Sequence, residues 1–414
     1  MNQLITTLVR SEEWVQVRRR IFRQLIESLL YEQIISEPVI RLHATSEYVL
    51  HGESHIGEKV KYTFYAVRKE SFHRIQLTDA PIMRITSLER TEADSIPQFL
   101  QEISSHFQVS EAQLGQFIDE LQQTHLKDTL SKRWDHTHWK PLLSEYDEWE
   151  SAMTEGHPYH PCYKSRIGFT LPDNTLYGPE FKPEFRLEWI AIQRDATIVS
   201  LSDSLITYTQ FIQSELEQEW DMLMSTLQDN SLDEDTYILL PVHPWQWERI
   251  AETCADQLRT GEMVYLGQAG DTYRPQQSIR TMTNVTSRDK PYVKLPLNIV
   301  NTSSGRILAQ HTIMNSARIS DWLGRVVATD TFLQKEIQLI VLKEIAGVSY
   351  NHQKLPSLFE QKIYGSLGAI WRESLHPYLN DGENALPFNA LCHLDLQNSP
   401  IIDPWVREYG LELG

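Results

Sequence analysis

The sequence predicts an α+β fold: a helical N-terminal domain with a small antiparallel sheet, followed by a domain with another antiparallel sheet and flanking helices. Apolar residues recur every three to four positions over residues 11–33 and 110–133, which is the helical period. Residues 39–67 instead form short runs of alternating polarity around the turn residues Gly52 and Gly57, which is typical of antiparallel strands. Separate runs of helices and antiparallel strands within one chain indicate the α+β class.

End signals support the helices of the first domain. Ser11 precedes Glu12 and Glu13, and acidic residues in a first turn interact favourably with the positive end of the helix dipole. Ser110 is followed three residues later by Gln113, which is the signature of a capping box. We assign the first domain to residues 1–140, with predicted helices over residues 11–33, 95–107 and 110–133. A further predicted helix, 142–154, follows the boundary and leads into the His-Pro pairs.

Short apolar runs dominate the second domain, residues 141–414, and predict strands separated by helices. The predicted strands cover residues 166–170, 188–192, 237–240, 264–266, 293–300, 306–311 and 337–342. The predicted helices cover residues 204–228, 245–260, 319–324 and the neighbourhood of 367–371. Since side chains two apart on an extended chain point to the same face, the first strand would bring Lys164 and Arg166 to one side.

Composition and charge exclude several classes of protein. Of the 414 residues, 41% are hydrophobic and 23% are charged, and no apolar run approaches the roughly 20 residues that span a bilayer. The N-terminus lacks a basic region followed by an apolar core, and the three cysteines are far apart. We therefore expect a cytoplasmic protein that does not bind membranes. The net charge of −18 argues against a general nucleic-acid-binding protein but allows a local site for small anions.

Two His-Pro pairs, at His157 and His160, precede the cations Lys164 and Arg166. Each proline fixes its own φ angle and keeps the residue before it out of the α region, so both histidines are expected on stiff, extended backbone. Two imidazoles and two cations on a rigid segment would make an anion-binding site. A proline-rich surface connection with solvated charges is the alternative interpretation of this segment alone.

A basic segment later in the chain strengthens the prediction of an anion site. Residues 271–306 hold six basic residues and two acidic ones. The candidates for binding a triphosphate are Lys164, Arg280, Lys294 and Arg306, with the hydroxyl groups of Ser278 and Thr281 as additional donors. A carboxylate that attacks the α-phosphate of ATP needs such cations, because negative charge builds on the phosphoryl oxygens as pyrophosphate leaves. The chain has no Walker loop and no GxGxxG turn.

Other functions for the same residues remain open from the sequence. His157, His160, Cys162 and His243 are of the types that bind zinc, which would suggest a zinc-dependent hydrolase, although their spacing is unusual for zinc. Trp245 and Trp247, in a further His-Pro segment, would either fill a core or stack on a nucleobase. Arg288 and Lys290, on either side of Asp289, are typical of a solvated turn.

Four motifs in order resemble the IucA/IucC family of NRPS-independent siderophore synthetases. They are GHPYHPCYKSRIGF at 156–169, LPVHPWQWE at 240–248, SIRT at 278–281 and VKLPLNIVNTSSGRIL at 293–308. The resemblance covers residues 156–391 and is weaker in the helical N-terminus. It implies a fold likened to a cupped hand, in which the first domain is the thumb and the second is the fingers.

The resemblance also implies a reaction. Family members use ATP and Mg²⁺ to adenylate a carboxylate of citrate or of a citrate derivative, and an amine or alcohol then displaces AMP. A homodimer is a further expectation. The family's nucleotide and carboxylate ligands, carried over to this sequence by motif, are His160, Lys164, Ser278, Arg280, Thr281, Lys294 and Arg306. The resemblance suggests catalytic roles for Arg306, Lys294 and His160, and nucleotide binding for the other four.

The sequence departs from the family pattern at its end. Family chains continue into a helical palm domain that supplies a histidine, an asparagine and acidic residues for Mg²⁺. Residues 409–414 resemble the approach to that domain, where this sequence stops. We therefore expect thumb and fingers only, with weak nucleotide binding and no completion of the amide-forming reaction by this chain alone. The alternative function is a non-catalytic module that binds nucleotide or carboxylate.

Overall fold

The computed structural model of the protein describes residues 2–35, 40–42, 45–68, 75–134, 145–154, 160–393, 400 and 402–410. Within these ranges it contains two large antiparallel sheets with helices packed against them, so the predicted α+β class is confirmed. No helix in these ranges combines the length and the apolar character needed to cross a membrane.

Helices α1 (Asn2–Leu8) and α2 (Glu12–Tyr31) open the chain. Helix α2 begins as predicted, because the Ser11 hydroxyl accepts a hydrogen bond of 3.3 Å from the Trp14 backbone N–H. One face of α2 is buried against the first sheet and the later helices. The buried side chains of this face are Val17, Ile21, Phe22, Leu25, Ile26, Leu29 and Leu30.

The first sheet follows α2 and has the order β1-β2-β3-β5-β6, with β4 paired to β3. Its strands are β1 (Ile40–Leu42), β2 (Thr45–Glu53), β3 (Lys59–Arg68), β4 (Ile75–Leu77), β5 (Met83–Ile85) and β6 (Arg90–Glu92). Helices α3 (Ile96–Glu102) and α4 (Glu111–Arg133) come next. The capping box of Ser110 and Gln113 is formed, which confirms that prediction.

Helix α4 also contacts the chain beyond the first sheet. The Lys127 ammonium donates hydrogen bonds of 2.6 and 2.8 Å to the carbonyls of Ser165 and Arg166. The Glu120 carboxylate accepts a hydrogen bond of 2.8 Å from the Ser303 hydroxyl. Helix α4 therefore joins the two parts of the protein. The predicted boundary between residues 140 and 141 lies outside the described residues and stays a prediction.

The second sheet has the order β8-β15-β16-β12-β11-β10-β7-β9, and each neighbouring pair is antiparallel. Its strands are β7 (Phe185–Gln193), β8 (Thr197–Leu201), β9 (Tyr237–Val242), β10 (Met263–Pro275), β11 (Thr281–Asn284), β12 (Tyr292–Lys294), β15 (Glu344–Tyr350) and β16 (Gly368–Arg372). A separate hairpin is formed by β13 (Leu297–Asn301) and β14 (Ser304–Arg306).

Helices surround this sheet and bury one continuous apolar core that includes Leu240, Met282 and Trp371. Before the sheet lie α5 (Tyr146–Ala152) and α6 (Leu171–Tyr177). The remaining helices are α7 (Tyr208–Leu216), α8 (Trp220–Asp229), α9 (Pro244–Ile250), α10 (Ala255–Thr260), α11 (Gln310–Thr329), α12 (Thr331–Lys335), α13 (Ser357–Ile363) and α14 (Asp403–Tyr409).

The strand predicted over residues 166–170 is wrong. Only Ile167 forms a β-bridge there, with Val300, and Arg166 adopts a positive φ of 37°. The carbonyls of Ser165 and Arg166 are held by Lys127 from α4, which turns the chain instead of extending it. Lys164 and Arg166 consequently pair with different carboxylates.

Several other predicted elements are corrected. The neighbourhood of 367–371 is strand β16 and not a helix, because consecutive side chains there are buried on both faces of the sheet. Of the strand predicted at 306–311, only Arg306 lies in a strand, namely β14, and helix α11 begins at Gln310. Residues 337–342, also predicted as a strand, form neither helix nor strand. The helix predicted at 204–228 is interrupted at Glu217, where φ is 50°.

Candidate active site

A cleft of about 660 Å³ lies beside the second sheet. Its walls come from helix α5, the turn before α6, the loop between β10 and β11, the β13–β14 hairpin and the end of β16. Five of the seven site residues predicted from the sequence line it, namely Lys164, Ser278, Arg280, Thr281 and Arg306. His160 and Lys294 do not line it.

The SIRT motif forms a tight loop between β10 and β11. The Gln276 backbone N–H donates to the Thr281 carbonyl at 2.8 Å, and the Ser278 hydroxyl accepts from the Thr281 N–H at 3.1 Å. Ile279 has a φ of 66°, which is unusual for a β-branched residue, and its side chain is buried in an apolar cluster with Trp245. Burial of this side chain anchors the loop while Ser278 and Arg280 face the cleft.

Arg280 and Arg306 face the same cleft without a carboxylate partner among the described residues. Arg280 donates to the Ile307 carbonyl, and Arg306 donates to the Thr302 hydroxyl at 2.9 Å. Burial lowers the pKa of both guanidinium groups, and the charge of Arg306 lowers the pKa of Arg280 further. Two partly buried cations that repel each other are stabilised when an anion binds between them.

Arg372, at the end of β16, is the third arginine of the cleft that has no carboxylate partner among the described residues, and it was not predicted from the sequence. Its guanidinium carbon lies 5.2 Å from the centre of the Tyr292 ring. The buried Nε atoms of Arg306 and Arg372 have no hydrogen-bond partner within the described part of the chain. Recognition of β16 as a strand would have placed Arg372 beside β12, where Tyr292 pairs with it in register.

Lys294 lies beside the cleft on β12, where it pairs in register with Thr281 on β11. Its ammonium is 3.7 Å from the Glu344 carboxylate. Burial lowers the pKa of Lys294, although the Glu344 charge opposes this effect. Lys294 therefore contributes positive charge close to the cleft, and its predicted catalytic role stays a prediction.

Lys164 and Arg166 are buried in ion pairs, so their charges are largely compensated. The Lys164 ammonium lies 2.7 Å from the Asp128 carboxylate and 3.2 Å from the Ser131 hydroxyl. Arg166 forms two hydrogen bonds of 2.9 Å to the Glu180 carboxylate. Burial raises the pKa of Glu180, but the charges of Arg166 and Lys164 outweigh burial and lower it.

Cys162 and His243, two of the residues considered for zinc, lie in different parts of the fold. His157 lies outside the described residues, and His160 is partly buried. Cys162 is buried in the core of the first sheet, where burial raises the pKa of its thiol. His243 caps helix α9 by accepting a 3.1 Å bond from the Trp245 N–H, and burial lowers its pKa to about 3. The described residues contain no group of three or more His, Cys, Asp or Glu that could hold a metal ion.

Trp245, Trp247 and Lys290 take part in packing and ion pairs of the fold. Trp245 is buried in the apolar cluster below the SIRT loop, and the guanidinium carbon of Arg249 lies 3.8 Å from its ring centre. The Trp247 ring is stacked on the Tyr265 ring at 5.3 Å. Lys290 forms ion pairs of 2.8 Å with Asp271 and Glu217, away from the cleft.

Helix α5 contributes a carboxylate that the sequence analysis missed. The Glu150 carboxylate lines the cleft and accepts hydrogen bonds of 2.8 Å from the Tyr146 hydroxyl and 3.1 Å from the Gln277 backbone N–H. Burial raises the pKa of Glu150. No sequence motif singles out this position, because its place in the cleft depends on contacts between distant elements.

Comparison with known proteins identifies the family. The model of the IucA/IucC family matches residues 145–393, which is more than half of the chain. The chain belongs to the IucA/IucC family. This finding confirms the resemblance drawn from the four motifs.

Relatives and solved structures agree with this membership. The chain is 38% identical over 410 residues to the citryl-spermidine/3,4-dihydroxybenzoyl-citryl-spermidine:spermidine ligase of Bacillus anthracis, covering 99% of this chain and 66% of that protein. It is 28% identical to the aerobactin synthase of Escherichia coli, covering 97% of this chain and 67% of that one. The crystal structure of the petrobactin biosynthesis protein AsbB from Bacillus anthracis has a TM-score of 0.91 at 37% identity, covering 99% and 67% of the two chains. The chain thus spans about two thirds of the length of these relatives.

Proposed function

We propose that this IucA/IucC chain binds ATP and a carboxylate of citrate or of a citrate derivative in siderophore biosynthesis. The carboxylate would be adenylated and then joined to an amine or alcohol. One observation carries the proposal: Arg280, Arg306 and Arg372 line one cleft and have no carboxylate partner within the described residues. The relatives whose names include a citryl-spermidine ligase and aerobactin synthases support the choice of substrates.

The residues of the cleft fit a triphosphate and a carboxylate. Guanidinium groups bind phosphate and carboxylate oxygens in pairs, and those of Arg280, Arg306 and Arg372 line the cleft without a carboxylate partner among the described residues. Ser278 and Thr281 add hydroxyl groups at the same wall. Bound ATP would supply the adenylyl group that activates the carboxylate.

The protein's own contribution is positioning and charge compensation. Arg280 and Arg306 would hold the phosphate oxygens and keep two anions close together, which otherwise repel each other. Lys294 would add charge from β12. The partial burial of these cations strengthens each interaction, because a lower effective dielectric increases the Coulomb energy. The role of His160 stays a prediction.

Mg²⁺, a homodimer and a cytoplasmic location remain part of the proposal as expectations from the sequence. The described residues contain no group of three or more His, Cys, Asp or Glu that could hold Mg²⁺. Light scattering of the purified chain tests the dimer, and a monomer at all concentrations would contradict it.

Trapping of the activated carboxylate tests the reaction. The chain is incubated with ATP, Mg²⁺, citrate and hydroxylamine, and both pyrophosphate and citryl hydroxamate are measured. We expect citrate-dependent release of pyrophosphate that is lost in Arg306→Gln, with little or no citryl hydroxamate, because this chain alone is not expected to complete the amide-forming reaction. Arg274→Gln is the matched control, because Arg274 is occupied by ion pairs with Glu148 and Glu184. ATP binding without either product would instead support the non-catalytic binding module.

The same assay tests the expectation that this chain alone does not complete the amide-forming reaction. The Bacillus anthracis relative, of which this chain spans 66%, is assayed in parallel. We expect a much lower rate from this chain. Equal rates would show that the residues of this chain suffice for the reaction and would contradict the expectation.

A further inference from the structure

Behind the cleft, four side chains form a hydrogen-bonded series that ends at Gln276. His376 Nε2 lies 2.9 Å from one carboxylate oxygen of Asp147, and the Thr283 hydroxyl donates to the other at 3.3 Å. The Gln276 side-chain amide nitrogen in turn donates to the Thr283 hydroxyl oxygen at 3.0 Å. Gln276, Thr283 and Asp147 are 4%, 3% and 7% exposed, so water competes little for these bonds.

The direction of each hydrogen bond in this series is fixed by chemistry. A carboxylate such as Asp147 accepts hydrogen bonds only, so the Thr283 hydroxyl has to use its one hydrogen as a donor to Asp147. The hydroxyl oxygen is then left as an acceptor for Gln276, which has to present its NH₂ group. The amide oxygen of Gln276 therefore points away from Thr283.

That amide oxygen has no hydrogen-bond partner in the described ranges, and Gln276 lines the cleft. It is a neutral acceptor in a cleft whose arginines are donors. Carboxylate and phosphate oxygens of a bound anion cannot bond to it, since they are acceptors as well. An ammonium group would be disfavoured by the arginine charges. The matching group is a neutral donor, and a hydroxyl is the neutral donor that both citrate and the ribose of ATP carry.

We propose that Gln276 Oε1 is an oriented acceptor for a hydroxyl group of the bound anion, and that Thr283 and Asp147 are positioning residues that fix the amide. This inference rests on the proposed function, which supplies two sources of such a hydroxyl. One is the hydroxyl of a hydroxytricarboxylate such as citrate, and the other is a ribose hydroxyl of the nucleotide. Both present the same chemistry to Gln276.

Calorimetric titration of the whole chain with two ligand pairs separates the sources. The first pair is citrate and tricarballylate, which has the same three carboxylates and no hydroxyl. The second pair is ATP and 2′,3′-dideoxy-ATP. In one of the two pairs we expect the chain to bind the member with the hydroxyl about tenfold more tightly than the member without it, which is a ratio of about ten between their dissociation constants. Gln276→Met, which keeps the length of the side chain without the amide, should reduce that ratio to about one.

Variants of Thr283 test the positioning role. Thr283→Val removes the hydroxyl and should also abolish the preference, whereas Thr283→Ser keeps the hydroxyl and should retain it. A purely structural role would lower affinity for both members of a pair and leave their ratio unchanged. An unchanged ratio in Gln276→Met, or equal binding within both pairs by the wild type, would overturn the inference while leaving the proposed function intact. Failure of all four ligands to bind would overturn the proposed function itself.

Discussion

The Lys164 ammonium lies 2.7 Å from the carboxylate of Asp128, and both side chains are less than 5% exposed. Asp128 also accepts hydrogen bonds from the Tyr163 hydroxyl, at 2.7 Å, and from Arg20. A lysine that the sequence suggests as a phosphate ligand thus contributes to the contact between helix α4 and the segment after the His-Pro pairs. The uncompensated charge of the cleft comes from the arginines.

Removal of this buried carboxylate should destabilise the fold. We expect Asp128→Asn to lower the free energy of unfolding by about 3–5 kcal/mol, because the buried Lys164 would lose the carboxylate that it contacts. Urea denaturation followed by tryptophan fluorescence measures the change. The control is Asp256→Asn, since the Asp256–Arg259 pair is more than 70% exposed and should contribute about 0.5 kcal/mol or less. Equal effects of the two substitutions would contradict a structural role for the buried pair.

The stability of the protein should depend on the titration of Lys127. Burial, and then the charge of Arg166, lower the pKa of its ammonium from 10.5 to about 7. Between these values the unfolded chain holds a proton that the folded chain releases, so the free energy of unfolding rises with pH. The gain in the free energy of unfolding that comes from Lys127 is complete above about pH 10.5, and it is lost as the pH falls to about 7.

Denaturation of the wild type and of Lys127→Met at pH values from about 7 to 9 isolates this effect. The difference between their unfolding free energies should shift in favour of the wild type as the pH rises. A difference that is independent of pH would show that Lys127 titrates normally in the folded protein.

Two glycines should respond oppositely to substitution by alanine. A Cβ atom at position 178 would lie 2.8 Å from Arg166 Nη1 and would also overlap the Asn174 carbonyl oxygen. Gly178→Ala should therefore destabilise the protein by about 1–3 kcal/mol through steric overlap. At the exposed Gly115 in α4 an added Cβ meets nothing within 4 Å, and Gly115→Ala should stabilise the helix by about 0.5–1 kcal/mol. Thermal melting of both variants measures these changes in stability. A Gly178→Ala protein that is as stable as the wild type would contradict the packing around Arg166.

Local signals in the sequence predicted much of the fold. Capping by Ser11 and Ser110 marked two helix starts correctly, because those bonds form within four residues. Ser278, Arg280 and Thr281, which the sequence suggested as neighbouring ligands of an anion, do line one cleft, and their binding role stays a prediction. The pairing of Lys164 with Asp128 could not be predicted from the sequence, because the two residues come together only through the packing of α4. Arg372 was missed because a fully buried strand and a buried helix have similar apolar patterns.

Titration of ATP into arginine variants shows whether the cleft arginines that lack a carboxylate partner among the described residues bind the triphosphate. Arg280→Lys and Arg306→Lys retain the charge but lose the two-pronged contact, so each should weaken ATP binding by about 1–3 kcal/mol, or roughly fivefold to 150-fold in Kd. The matched variant Arg274→Lys alters an arginine that is paired with Glu148 and Glu184 and should leave Kd within about twofold. Unchanged affinity in both cleft variants, or equal losses in all three, would contradict binding of the triphosphate by these arginines.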